Sequence, residues 1–142
     1  AHTLRTTSTT QTVVAMSTAK SEFYAAVKSA SIGLGFTSLA ADFGYTFPKP
    51  VEIRIDASAG IGIASRRGAG KIRHIATPTL WLQQAVYEQR VAVCKVKGTA
   101  NPADLGTKHV DQGIIRSCWK TLGYRSETGR SELALKASTG EA

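Results

Sequence analysis

Three acidic residues stand at comparable places in the sequence, and together they could support metal-dependent chemistry. Glu22 falls in the first turns of a predicted helix, Asp56 closes a predicted strand, and Asp104 begins a helical segment after another strand. Carboxylates at strand ends and helix starts can converge at one edge of a sheet, where they repel one another unless a proton or a hard cation is present. Such a site suits two magnesium ions, or manganese, and the cleavage of a phosphodiester. Taken singly, each acid is better explained as a helix cap or a surface charge.

The elements that must position these acids can be predicted from hydrophobic periodicity. Apolar residues recur at three- and four-residue steps through 18–43, which predicts a helix capped by Ser17 and ended by Gly44. Gly33 and Gly35 are expected to weaken its middle, by a bend or an interruption. The alternation from Val51 to Asp56 predicts a strand with its odd-numbered apolar residues on one face.

The remaining segments complete an α/β pattern. They are a threonine-rich strand or hairpin at 2–17, a short helix at 57–65, a glycine-rich basic loop at 66–74, a helix from near Pro78, a strand at 91–96 and a last helical part from Pro102 to Leu122. Trp81 and Trp119 are predicted to pack in the core. The order predicts a mixed sheet flanked by helices in one domain, 1–124, followed by a loose tail, 125–142.

The positive charge is concentrated in the second half of the chain. The formal net charge is +8, and residues 66–125 hold eleven Lys or Arg against three Asp or Glu, so this stretch accounts for the whole excess. A basic surface of this kind favours nucleic acid over a merely solvated face, although charge alone favours it only slightly. The candidate contacts are Arg66, Arg67, Lys71, Arg73, His74 and Lys108.

Other sequence features bound the function class. No apolar run is long enough for a membrane span, and no secretory leader is visible. Cys94 and Cys118 have neither CxxC nor zinc spacing, which favours two reduced thiols in an intracellular setting over a disulfide. The chain starts at Ala1, which suggests a processed product or a piece of a longer protein.

Four local motifs, in order, resemble the ribonuclease H region of copia-type retrotransposon polyproteins. Residues 16–24 (MSTAKSEFY) resemble the start of that family's first helix, and 51–59 (VEIRIDASA) the strand that ends in an aspartate followed by small residues. Residues 70–75 (GKIRHI) resemble its basic loop, and 101–108 (NPADLGTK) its closing Ala-Asp and Thr-Lys motif. Together the motifs span about 2–124.

The resemblance implies a ribonuclease H fold that cleaves the RNA strand of an RNA–DNA hybrid with two divalent metals. Glu22, Asp56 and Asp104 match three of the family's four acids. The fourth, an aspartate on the first strand, has no counterpart before Glu22, so we expect this chain to lack that strand. The resemblance also implies a reverse transcriptase upstream in the same polyprotein. The alternatives are a catalytically dead remnant that only binds nucleic acid, or a structural fragment without a present role.

One position departs from the family pattern. Lys20 stands where the family often has an acid, at the third helical position after Ser17. A glutamate there would close a capping box, whereas lysine brings positive charge to the positive end of the helix dipole. We expect this to lower stability by roughly 0.3–1 kcal/mol without affecting metal binding.

Overall fold

The computed structural model describes residues 3–9, 17–68, 70, 79–125 and 129. Within them the chain is an α/β protein with four α-helices and one sheet. The helices are α1 (Thr18–Asp42), α2 (Ser58–Ala64), α3 (Trp81–Tyr87) and α4 (Gln112–Leu122), and the strands are β1 (Val51–Ile55) and β2 (Val91–Lys95). Two short 3-10 turns, Gly98–Ala100 and Pro102–Gly106, lie between β2 and α4.

The sheet of the described residues consists of β1 and β2 in parallel, with Val51 opposite Val91 and Ile55 opposite Lys95. The buried residues of β1 alternate, with Ile53 and Ile55 facing the core, as the sequence pattern predicts. The predicted mixed sheet is not seen, because all strand pairing in the described part of the chain is parallel. Because the strands are parallel, their carboxyl ends lie at the same edge.

Helix α1 begins and ends where the sequence predicts. The Ser17 hydroxyl accepts a hydrogen bond from the Lys20 amide at 3.3 Å, and so caps the helix. At the other end Gly44 has a φ of +80°, its amide donates to Ala41, and the Tyr45 amide donates to Ala40. These two bonds form a Schellman motif, which needs a left-handed residue and therefore favours glycine.

The two glycines inside α1 do not interrupt the helix, contrary to one of the two expectations. Gly33 lies against β1 so closely that a Cβ atom there would stand 2.5 Å from Val51 Cγ1, whereas a Cβ at Gly35 would meet nothing within 4 Å. The missing side chain at Gly33 therefore allows the helix to approach the strand. Phe23, Ala26 and Ala30 on the same helix are buried in the core.

The core lies between α1, the sheet and the two short helices. Its largest fully buried side chains are Phe23, Ile63, Leu82 and Val91. Trp81 packs against the edge of this core as predicted, but Trp119 is 38% exposed, so its predicted place in the core is wrong. Cys118 is the buried residue of α4. Both cysteines are free thiols.

Two further predictions from the sequence need correction. The last helical part is not continuous: the Pro102–Gly106 turn ends at Thr107, and α4 begins anew where the Asp111 carboxylate accepts a hydrogen bond from the Ile114 amide at 3.0 Å. Residues 3–9 form no strand, and 10–16 lie outside the described residues, as does most of the predicted tail.

Lys20 is more deeply placed than its sequence position indicates. It is one of the buried polar residues, and its Nζ atom lies 5.5 Å from the centroid of the Tyr24 ring, one turn further along α1. The attraction between the ammonium and the ring face offsets part of the unfavourable interaction with the helix dipole.

Candidate active site

Asp56 and Asp104 both follow strands of the parallel pair, so the sheet topology brings them to the same edge. Asp56 comes directly after β1, and Asp104 lies in the second 3-10 turn after β2. The segment that follows β2 passes close to Asp56, because a Cβ atom at Gly98 would stand 3.8 Å from the Asp56 carboxylate. The Asn101 side chain caps the second turn by accepting from the Ala103 amide at 3.2 Å, which fixes the backbone next to Asp104.

Glu22 reaches this edge from α1 by way of α2. Helix α2 starts two residues after Asp56 and crosses α1 at Gly60, where a Cβ atom would stand 3.1 Å from Glu22 Cβ. Gly60 is buried, so a larger residue there would push the two helices apart. A glycine at this crossing therefore keeps Glu22 beside the segment that carries Asp56.

The three carboxylates share one electrostatic environment. Partial burial raises the pKa of Glu22 above its ordinary value, and the negative charges of Asp56 and, more weakly, Asp104 raise it further. The positive charge of Lys108 opposes this effect on the Glu22 pKa. Asp56 and Asp104 are thus close enough to Glu22 in the folded chain to act on its pKa. We call these three acids, which were predicted from separate motifs, the acidic cluster.

Lys108 supplies the counter-charge of the acidic cluster. Its Nζ atom lies 3.0 Å from one Asp104 carboxylate oxygen and 3.1 Å from the other, one helical turn along the chain. The hydrogen bond and charge of Asp104 raise the pKa of Lys108, with smaller contributions from Asp56 and Glu22. The sequence predicts Lys108 as a contact for nucleic acid; in the folded chain its ammonium is bound to a carboxylate.

The acidic cluster has the donor chemistry of a divalent-metal site, since carboxylate oxygens are the ligands that Mg²⁺ and Mn²⁺ prefer. Its side chains as they lie do not yet form one: in the described part of the chain, no three Asp, Glu, His or Cys side chains are grouped closely enough to hold an ion. The carboxylates instead lie near the Lys108 ammonium. It supplies a single positive charge where a metal ion would balance the negative charge of the acidic cluster.

The predicted basic surface is described only in part. Arg66 and Arg67 follow the end of α2, whereas Lys71, Arg73 and His74 lie outside the described residues. Arg67 lies over the ring of Tyr87 of α3, with its guanidinium carbon 4.1 Å from the ring centroid.

Gln83 fixes the start of this basic segment, and sequence reasoning missed it. Its side chain is buried, accepts from the Gly68 amide at 2.7 Å, and donates to the carbonyls of Gly68 at 3.0 Å and Ile63 at 2.8 Å. The available signal was one polar residue among the apolar positions of α3, one turn before Tyr87.

Comparison with models of known protein families, with curated proteins and with solved structures finds no match to this chain. In the described ranges, no helix is both long enough and apolar enough to cross a membrane.

Proposed function

We propose that this chain is a ribonuclease H-like domain of a retrotransposon polyprotein, whose chemistry is metal-dependent cleavage of RNA in RNA–DNA hybrids. The observation that carries the proposal is the acidic cluster. Glu22, Asp56 and Asp104 are the three acids that the four motifs assign to catalysis, and they come together from segments that are 34 and 48 residues apart in the sequence. The α/β architecture is compatible with this proposal.

In this proposal, the chain's own residues hold the reacting centre and its charge. Glu22, Asp56 and Asp104 would hold Mg²⁺ or Mn²⁺, and the metal would supply an activated water and stabilise the leaving oxygen. Asp56 directly follows β1 and Asp104 lies in the second 3-10 turn after β2, so both belong to segments that leave the same edge of the parallel pair. Arg66 and Arg67 would contact phosphates of the hybrid, whose recognition should depend on backbone shape and 2′-hydroxyls instead of sequence.

The acid that the resemblance places on a first strand has no counterpart in residues 1–21. A site without that carboxylate would hold its metal less well and would have a higher reaction barrier; each 1.4 kcal/mol corresponds to about a tenfold lower rate. We therefore expect the 142-residue chain by itself to show no detectable cleavage. A fusion that supplies an upstream strand bearing an aspartate should cleave.

The test is a labelled-hybrid cleavage assay with magnesium on three proteins: the chain, the fusion, and the fusion carrying Asp56→Asn. Cleavage by the fusion, lost again on Asp56→Asn, supports the proposal. A folded fusion that binds hybrid but never cuts supports the second candidate, a remnant that only binds nucleic acid. The basic excess of residues 66–125 favours that candidate independently of the acids.

A further inference from the structure

Arg67 differs from two other arginines of the described chain in what it contacts. Arg54 pairs with Glu52 at 2.5 Å, and Arg90 pairs with Glu88 at 2.9 Å, so an adjacent carboxylate neutralises each of them. No carboxylate of the described ranges lies within ion-pair distance of Arg67, which instead covers the ring of Tyr87.

The backbone next to Arg67 is held by two part-buried hydrogen bonds, and the side chain that makes them is anchored by a buried one. Gln83 bonds both the amide and the carbonyl of Gly68, the adjoining residue, and anchors itself to Ile63 at the end of α2. Gln83 and Tyr87 are one turn apart on α3. The same helix therefore fixes the Arg67 backbone through Gln83 and its guanidinium through Tyr87.

A guanidinium that covers the face of a ring still has N–H groups directed away from the ring, which can bond to phosphate oxygens. Its side-chain freedom is already restricted, so less entropy is lost when a ligand binds. Tyr87 is 64% exposed, which leaves the pair on the surface. The pair of Arg67 and Tyr87 lies beyond the end of α2. This helix has seven residues and is therefore only about 10 Å long, and its start adjoins Asp56.

We infer that Arg67 and Tyr87, positioned by Gln83, form a preorganised contact for one backbone phosphate of a nucleic-acid duplex, a few nucleotides from the acidic cluster. The inference rests on the proposed function, because it takes the RNA–DNA hybrid as the ligand. It adds Tyr87 as a residue of the binding surface and Gln83 as a positioning residue. The contact recognises the phosphodiester group and carries no sequence preference.

The test measures binding of a fluorescently labelled RNA–DNA hybrid by anisotropy over a series of salt concentrations. The variants are Arg67→Lys, which keeps the charge but not the planar stack, and Tyr87→Leu, which removes the ring. Arg90→Lys is the matched control, since its guanidinium already pairs with Glu88. Both Arg67 and Tyr87 are exposed, so their replacement should leave the melting temperature nearly unchanged.

We expect Arg67→Lys and Tyr87→Leu each to weaken binding about two- to tenfold, because the side chain at position 67 then loses its conformational freedom only when the ligand binds. The salt slope of Arg67→Lys should equal that of the wild type, because the number of neutralised phosphates is unchanged. The double variant should bind no more weakly than either single one, since both break the same contact. An equal loss with a DNA duplex identifies a phosphate contact common to both ligands; a loss confined to the hybrid identifies one that depends on hybrid geometry.

If the wild-type protein binds the hybrid and both Arg67→Lys and Tyr87→Leu bind it with unchanged affinity, the inference is wrong. The proposed function then stays in place. Wild-type protein that binds no hybrid even at low salt overturns the proposed function, and the inference with it.

Discussion

Two glycines of α1 provide a sensitive test of how that helix is seated on the sheet. Gly33→Ala and Gly35→Ala make the same chemical change two residues apart in one continuous helix. Each should gain about 0.5–1 kcal/mol from the better helix propensity of alanine. Only at Gly33 does the new Cβ meet a neighbour, at 2.5 Å from Val51 Cγ1.

Ordinary carbon contacts begin near 3.5 Å, so at position 33 either the helix or the strand must move by about 1 Å. The branched Val51 side chain is stiff at χ1 and can relieve little of this overlap. Overpacking of this kind costs about 1–3 kcal/mol, which exceeds the propensity gain. We therefore expect Gly35→Ala to raise the melting temperature by about 2–4 °C and Gly33→Ala to lower it by a similar or larger amount.

The assay is thermal unfolding followed by circular dichroism, with Val51→Ala added in a double-mutant cycle. Removing the two γ-methyl groups of Val51 should restore most of the stability that Gly33→Ala loses. If Gly33→Ala melts at or above Gly35→Ala, the close seating of α1 on β1 is wrong. The position of Glu22, which the same helix carries, would then need revision.

Three further outcomes are expected. Lys108→Gln should bind Mn²⁺ several-fold more tightly than the wild type in a paramagnetic relaxation titration, because the metal ion no longer competes with an ammonium. The control Lys49→Gln makes the same charge change before β1 and should bind Mn²⁺ as the wild type does. Equal affinities of the two variants would show that Lys108 does not oppose the ion. Glu22→Gln should raise the free energy of unfolding at neutral pH, because the pKa of Glu22 is raised in the folded chain and its charged form is therefore disfavoured. This gain in stability should shrink as the pH falls through the folded-state pKa toward 4.5. A gain that does not depend on pH, measured by chemical denaturation, would contradict this. Gln83→Leu should cost about 2–4 kcal/mol by leaving buried backbone groups without partners, whereas Gln84→Leu, at an exposed position, should change the free energy of unfolding by less than about 0.5 kcal/mol.

The elements with a strong period were predictable from the sequence. Helix α1 follows a 3.6-residue pattern with Ser17 and Gly44 at its ends, and β1 follows strict alternation, so their boundaries were predicted to within a residue or two. Helix α3 ends without such a signal: Gln89 adopts a φ of +57°, where glycine or asparagine is usual. The turn is again a Schellman motif, in which the Gln89 amide donates to Val86 and the Arg90 amide donates to Ala85, but the residue type at position 89 gives no sign of it.

The predictions failed where local preference was weak. The segment from Pro102 to Leu122 breaks after Gly106, and a new helix begins where Asp111 caps it. Residues 3–9 have strand-forming threonines, yet a strand needs a partner to pair with, and the pattern of one segment cannot supply it. Trp119 was placed in the core on residue type alone, which says nothing of which face of α4 is covered.

The members of the acidic cluster could be predicted from the sequence, but its pairing with Lys108 was not predicted. Strand ends and helix starts predict that Glu22, Asp56 and Asp104 meet, because topology determines which edge they share. That Lys108 lies against Asp104 follows from an i, i+4 spacing in a helical turn, a signal that was present but was interpreted as a phosphate contact. The contact between Arg67 and Tyr87 joins residues 20 apart, so it depends on the tertiary structure alone.

The register of the parallel pair also has a kinetic consequence. Each residue of β1 faces a partner 40 positions later, so the sheet cannot form until a long loop has closed. Closure entropy rises by about 0.6 kcal/mol per doubling of loop length, and contacts of high sequence separation slow folding. Helix α1, whose contacts are local, can form well before the strands pair. Asp56 and Asp104 reach the same edge of the sheet only once the strands have paired, so the acidic cluster assembles late in folding.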